Sequence, residues 1–315
     1  MPRPIALLAI GGNALLKEKE SGLQEEQLEN ARETAETLAR VVAAGYSLCV
    51  VHGNGPQVGN LLIQQEAAAT QIPPYSLDIA VGMTQGSMGY MIERMLRNRL
   101  RFEKLDTPVT TVLTEVVVDK DDPGFGNPTK FIGPFYPEFR ALELAKTKKW
   151  KVKEDSGRGW RKVVPSPKPV EIVQLEAIRL LLGTGHAVIA GGGGGIPVVR
   201  DASGFLVGVE AVIDKDRLSA LLAAQLGAHL YVVLTGVPKV ALDFGKPTQR
   251  WVGRMTATEA RQHLADGQFP PGSMGPKIES ALSFLEGGGK EVLITSPEAL
   301  KGNGFESVGT RIVKD

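Results

Sequence analysis

Apolar positions along this chain follow two alternating periods. Ile5–Ile10 is an unbroken apolar run, the pattern of a strand covered on both faces. Across Glu26–Ala44, the residues Leu28, Ala31, Ala35, Leu38, Val41 and Val42 recur mostly three or four apart, which predicts a helix with one buried side. Gly45 follows where a helix C-terminus belongs. Ser47–His52 reads as the next strand, and Cys49 within it reads as a small buried hydrophobe. The pattern then predicts helix over Leu77–Leu105, strand over Val109–Val118, helix over Glu171–Leu182 and strand over Ala187–Ala190. Arg217–Leu226 is helix, Leu230–Leu234 strand, Thr256–Ala265 helix opened by the capping pair Thr256 and Glu259, Gly275–Glu286 helix, and Glu291–Thr295 strand. This alternation predicts an α/β fold with a mostly parallel central sheet and helices on both faces.

One stretch breaks the rhythm. Asp119–Lys168 is rich in Pro, Gly, Trp and Lys, and its second half gathers Lys146, Lys148, Lys149, Lys151, Lys153, Arg158, Arg161, Lys162 and Lys168 around Trp150 and Trp160. A nucleic-acid patch is one reading; a solvated hairpin inserted between two βα units is the other. Overall charge favours the hairpin, because 36 Lys and Arg against 35 Asp and Glu leave a net charge of only +1. The 315 residues exceed the roughly 250–300 at which one core stops growing, so two lobes are expected, residues 1–208 and 209–315, with 119–168 as a protruding subdomain of the first.

Composition removes several classes. One Cys excludes a disulfide framework, and the four His form no HExxH-type pattern. No apolar run reaches the ~18 residues of a membrane helix. Arg3 with Ile5–Ile10 has the outline of a short signal peptide, but the run enters Gly11-Gly12-Asn13 with no small-residue cleavage site, so it reads as the first strand of a cytoplasmic protein.

Candidate chemistry lies in turns. There is no GxxxxGK[ST] loop, and the fingerprint-like Gly53–Gly59 follows the second strand, not the first. Three Gly-rich turns instead end three strands: Gly11-Gly12-Asn13, Gly53-Asn54-Gly55 and Gly191 to Gly195. Glycines at the carboxyl edge of a parallel sheet let backbone N–H groups approach an anion. Asp214-Lys215-Asp216 enters a helix, where Lys215 could meet a phosphate or Asp214 could simply cap the helix with Lys215 in solvent. Gly272–Lys277 delivers a second lysine to a helix start, and Lys130 stands in the insertion within Asn127-Pro128-Thr129-Lys130. Three lysines carried on turns suit phosphoryl transfer, which depends on positioning and charge neutralisation.

These residues together resemble the carbamate kinases of the amino acid kinase family. The resemblance rests on Ala9–Leu15, His52–Gly59, NPTKFIGPFY from Asn127, EDSGRGWRKVVPSP from Glu154, the Gly191 run, Asp214-Lys215-Asp216, Leu234–Val237 and the Gly272–Lys277 turn. It implies an open αβα sandwich, a homodimer, and reversible transfer of a phosphoryl group between ATP and carbamate. It implies that Gly11, Gly12, Asn13, Gly53 and Asn54 hold carbamate and the transferring group, and that Lys130, Lys215 and Lys277 neutralise its charge. Asp216 would orient the lysines. Asp214, Thr235, Gly236, Met274 and Lys277 would form the nucleotide side, with Mg²⁺ carried on the nucleotide phosphates and no protein-held metal. Many relatives place a lysine on the first strand, whereas Leu8, Ala9 and Ile10 stand here, so Lys130 is the candidate replacement. A kinase of the same fold acting on another small carboxylate or phosphate is the alternative, and a non-catalytic nucleotide-binding regulator a third. Met83, Met88, Met91 and Met95 on the long helix are expected either at the dimer interface or in the core.

Overall fold

A computed structural model describes residues 3–11, 15–17, 20–155, 157–270, 273–302 and 307–315. Its centre is an eight-stranded sheet in the spatial order Arg254–Thr256, Thr310–Val313, Glu291–Thr295, Leu230–Leu234, Ile5–Ile10, Ser47–His52, Ala187–Ile189, Val109–Thr111. All neighbours run parallel except Thr310–Val313 against Glu291–Thr295. Ile5–Ile10 is central, with Leu8 in register with Val50 on one side and Val232 on the other.

The unbroken apolar strands are explained by a core on each face. Leu7, Ala9, Cys49, Val51, Tyr231 and Val233 point into one. Ala6, Leu8, Ile10, Leu48, Val50 and Val232 point into the other. The second core is closed by helices Gln24–Ala43 and Leu77–Phe102, through Ala31, Ala35, Leu38, Met88, Ile92 and Leu96. The first is closed by helices Leu175–Gly183, Lys215–Gln225, Ala257–Ala265 and Met274–Glu286, through Ile178, Leu218, Leu222, Ala260, Ile278 and Leu285. Burying each large aliphatic chain contributes about 1.5–3 kcal/mol. The alternating periods predicted this mostly parallel sheet with helices on both faces, and the family resemblance implied the open αβα sandwich it forms. Met88 is fully buried, and Met91 and Met95 pack on the same core; Met83 alone of the four is exposed.

Three elements differ from expectation. Val109–Val118 is not one strand: Val109–Thr111 belongs to the large sheet and Glu115–Val118 to a second, four-stranded one. Between them Gln85 takes both backbone groups of Thr114, with Thr114 N–H 2.8 Å from its Oε1 and its Nε2 3.2 Å from the Thr114 carbonyl. That side chain replaces ladder partners and lets the chain change sheets. Glu171–Leu182 is also divided, because Pro169–Ile172 pairs antiparallel with Glu115–Val118 and the helix starts only at Leu175. Helix Gly55–Ala68, unpredicted, buries only Val58 and Gly59 fully, so it carried almost no apolar period.

Those two paired strands are the stem of the insertion. Asp122 closes it, accepting from Gly124 N–H at 2.7 Å and Lys168 N–H at 3.0 Å. Beyond the stem the segment is more than a hairpin. Strands Lys130–Tyr136, Trp160–Val164 and Lys151–Glu154 form an antiparallel sheet in that order, joined by helix Glu138–Thr147. Several of its cations are engaged locally. Arg158 and Arg161 bond Asp155 at 2.9 and 3.0 Å, and Lys148 and Lys162 lie 5.1 and 5.0 Å from the Trp150 ring centroid.

Candidate active site

The Ile5–Ile10 and Leu230–Leu234 strands are neighbours, so their carboxyl ends, Gly11 and Thr235-Gly236, open on the same side of the sheet. Between them and two helix starts lies a cleft of about 470 Å³. Its walls include Gly11, Lys215, Thr235, Gly236 and Lys277. Gly12, Asn13 and Gly272 lie outside the described residues.

Lys215 is the first residue of helix Lys215–Gln225, and Lys277 lies in the first turn of Met274–Glu286. Both ammonium groups converge on Asp216: Lys215 Nζ donates to Oδ1 at 2.5 Å and Lys277 Nζ to Oδ2 at 3.1 Å. Asp216 is buried, which pushes its pKa up, but Lys215 and Lys277 outweigh burial and hold the carboxyl below its ordinary value. Burial lowers the pKa of Lys215, with Asp216 opposing. The result is two cations at fixed spacing around one anion, a net positive site at the edge of the sheet.

The capping and phosphate-contact readings of Asp214-Lys215-Asp216 separate by residue. Asp214 does cap the helix, its Oδ1 accepting from Asp216 N–H at 2.9 Å. Lys215 is not in solvent, its side chain being 15% exposed. Asp214 Oδ2 accepts from Lys130 Nζ at 2.9 Å. Burial would raise the Asp214 pKa, yet Lys130 and the helix N–H lower it to about 2.

Gly53 and Asn54 follow the Ser47–His52 strand beside the cleft, with Gly53 N–H bonded to the Ile10 carbonyl at 2.9 Å. Asn54 is buried, and its Nδ2 donates to Thr84 Oγ1 at 2.8 Å. The Gly191–Gly195 run serves close packing more than ligand approach. A Cβ at Gly192 would stand 2.4 Å from His52 Nε2, and one at Gly193 2.3 Å from Asn54 Nδ2. The N–H groups of Gly191, Gly194 and Gly195 are already bonded, to Thr114 Oγ1 and to the carbonyls of Gly191 and Gly192. Met274 faces inward, packed on the core of its helix and not on the cleft.

Sequence reasoning missed the support beneath Asp216. Tyr231 Oη and Ser280 Oγ share a hydrogen bond at 2.7 Å, and Ser280 Oγ donates to the Asp216 carbonyl at 2.8 Å. Both are buried, and together they tie the Leu230–Leu234 strand to the two helices bearing the lysines. Ser280 lies three residues past Lys277, one helical turn, which was the available signal. Also missed was Glu33 on the opposite wall of the cleft, 3.0 Å from Lys17 Nζ and 3.7 Å from Lys301 Nζ.

Leu8, Ala9 and Ile10 are all buried between the two cores, so no first-strand side chain contributes charge here. His52 is likewise buried, its Nδ1 3.0 Å from the Gly53 carbonyl; burial lowers its pKa, with that carbonyl opposing. No helix among the described residues is long and apolar enough to cross a membrane.

Three comparisons bear on this geometry. A sequence model described as the amino acid kinase family matches residues 4–296. A carbamate kinase of Thermococcus kodakarensis is 45% identical over 316 residues, covering 98% of this chain and 99% of that protein. One from Pyrococcus furiosus is 44% identical over 313 residues, covering 98% of each. Among solved structures, the carbamate kinase from Giardia lamblia bound to AMP-PNP superposes with a TM-score of 0.91 at 38% identity, over 99% of both chains.

Proposed function

This chain belongs to the amino acid kinase family, and from that premise we propose that it is a carbamate kinase, interconverting ATP plus carbamate with ADP plus carbamoyl phosphate. The observation that carries the reading is the Asp216 carboxylate shared by Lys215 and Lys277 in the cleft, on a chain alike end to end to carbamate kinases.

In the direction of ATP formation, the P–O bond of carbamoyl phosphate breaks as a terminal oxygen of ADP bonds to phosphorus, and carbamate leaves. Negative charge spreads over the equatorial oxygens of the transferring group. Lys215 and Lys277 donate to those oxygens, and Asp216 holds the two ammonium groups in place between turnovers. Because their positions are set before the reaction, little reorganisation is needed when charge develops. Gly11, Gly12, Asn13, Gly53 and Asn54 hold the carbamate end, and Thr235, Gly236 and Asp214 belong to the nucleotide end. Transfer is direct: His52, at a strand end beside the cleft, is walled in by Gly53 and Gly192 and has no free face for a phosphoryl group.

Lys130 reaches the lysine-bearing helix through Asp214, which supports a role for the insertion as a lid that brings a third cation to the site and excludes water. Mg²⁺, carried on the nucleotide phosphates, would supply further neutralisation; both oxygens of Asp216 and of Asp214 already accept from protein donors, which suits a metal held mainly by phosphate oxygens. The working unit in this reading is a homodimer.

A coupled assay of ATP formation from ADP and carbamoyl phosphate tests the reading, run beside ATP-dependent phosphorylation of acetylglutamate, aspartate and UMP. Turnover with carbamoyl phosphate alone is expected. Faster turnover with one of the other acceptors would assign the chain to a different kinase of this fold.

A further inference from the structure

Away from the cleft, a second cavity of about 320 Å³ lies between helix Gly55–Ala68 and the inserted sheet. Leu62, Leu77, Ile132, Tyr136 and Trp150 give it largely apolar, aromatic walls. Its four charged side chains are unequally paired. Glu66 accepts from Tyr136 Oη at 2.8 Å and from Lys148 Nζ at 3.0 Å. Glu210 Oε1 accepts from Leu77 N–H at 2.7 Å. Lys162 is only 20% exposed, and its ion pair, with Glu210 Oε2, spans 3.9 Å, too long for a hydrogen bond. Gln65 on the same wall gives its Oε1 to Tyr75 N–H at 2.7 Å and keeps a buried Nε2 with no acceptor. Two donors lining this cavity, Lys162 Nζ and Gln65 Nε2, thus have no hydrogen-bonded acceptor, Lys162 resting instead 5.0 Å from the Trp150 ring centroid.

We propose that this cavity binds a small carboxylate built on one aromatic ring, its carboxylate on Lys162 and its ring against Tyr136 and Trp150. A half-buried ammonium without a bonded acceptor gains most from an anion that completes its hydrogen bonding. The volume lies at the small end of ligand pockets, enough for a single ring and its acid group. One wall is the body helix and the other is the sheet that begins with Lys130, so an occupant bridges insertion and body. The inference does not depend on which phosphoryl acceptor the cleft uses.

Phenylacetate is the probe, titrated calorimetrically into the full chain saturated with ADP, which occupies the cleft. Binding is expected with a Kd of about 1 mM or tighter, and phenylacetamide, equal in shape but uncharged, should bind at least ~10-fold more weakly. Lys162→Met should weaken phenylacetate by a similar factor, while ATP formation stays within about twofold of wild type. The amide comparison uses unaltered protein, so it decides the matter even if the variant folds poorly. Absence of phenylacetate binding, equal binding of the amide, or displacement by ADP would each overturn the proposal, as would undiminished binding to a folded Lys162→Met.

Discussion

Lys130 Nζ lies 2.9 Å from Asp214 Oδ2, so the inserted sheet is fastened to the cap of the helix that carries Lys215 and Asp216. The same carboxylate uses its other oxygen on the helix N–H groups. One side chain thereby fixes both where that helix begins and where the insertion rests.

The Asp214 carboxyl, held at about 2 in the fold, makes stability pH-dependent. With an unfolded-state value near 3.9, its contribution of about 2 kcal/mol is complete above about pH 4 and is lost as pH falls through about 2. Asp214→Asn keeps a capping side chain but removes this titration. Urea midpoints measured at steps of pH should fall less steeply below pH 4 in the variant; parallel curves would show that Asp214 contributes no such stability.

Lys215→Ala and Lys277→Ala should each lower kcat by roughly 10²–10³-fold, because each removes a donor needed most when charge develops on the phosphoryl group. Steady-state kinetics on folded variants checks this. A lysine whose loss leaves more than about half of kcat has no place in the mechanism.

Lys130→Ala should depress kcat strongly while shifting the ADP dissociation constant less than roughly threefold, under ~1 kcal/mol. Turnover paired with calorimetric titration of ADP separates the outcomes. Unchanged turnover would make the insertion a structural arm, and lost ADP affinity would put Lys130 in the nucleotide site.

Ser280→Ala removes the 2.8 Å bond to the Asp216 carbonyl and leaves the buried Tyr231 hydroxyl only its long, 3.5 Å contact with that same carbonyl. A loss of about 1–3 kcal/mol in unfolding free energy is expected. If Ser280 also positions the lysine pair, kcat at low temperature falls by about tenfold with KM for ADP nearly constant. An unchanged kcat in folded protein would reduce Ser280 to a packing role.

The long helix turns Ile79, Met83 and Tyr90 outward, an exposed apolar stripe at helical spacing. Dimerisation through it predicts a light-scattering mass of twice the 33.7 kDa chain, reduced by Met83→Glu. A mass near that of one chain at micromolar concentration would rule the dimer out.

The sequence by itself determined the layered fold, because runs such as Ile5–Ile10 can be satisfied only by a strand with a core on each face, and the 3.6-residue period of Leu28 to Val42 only by a helix lying on it. It also carried the family, whose motifs are contiguous stretches legible in one dimension. Contacts between distant residues were decided by tertiary structure alone. Gln85 intercepting the Thr114 backbone split one apolar stretch between two sheets, and nothing local to Val109–Val118 encodes that. Lys277 meets Asp216 across 61 residues, and Tyr231 meets Ser280 across 49. Spacing along a chain records the period of one element, whereas these pairs depend on where two helices cross one strand, a quantity set only when the cores close.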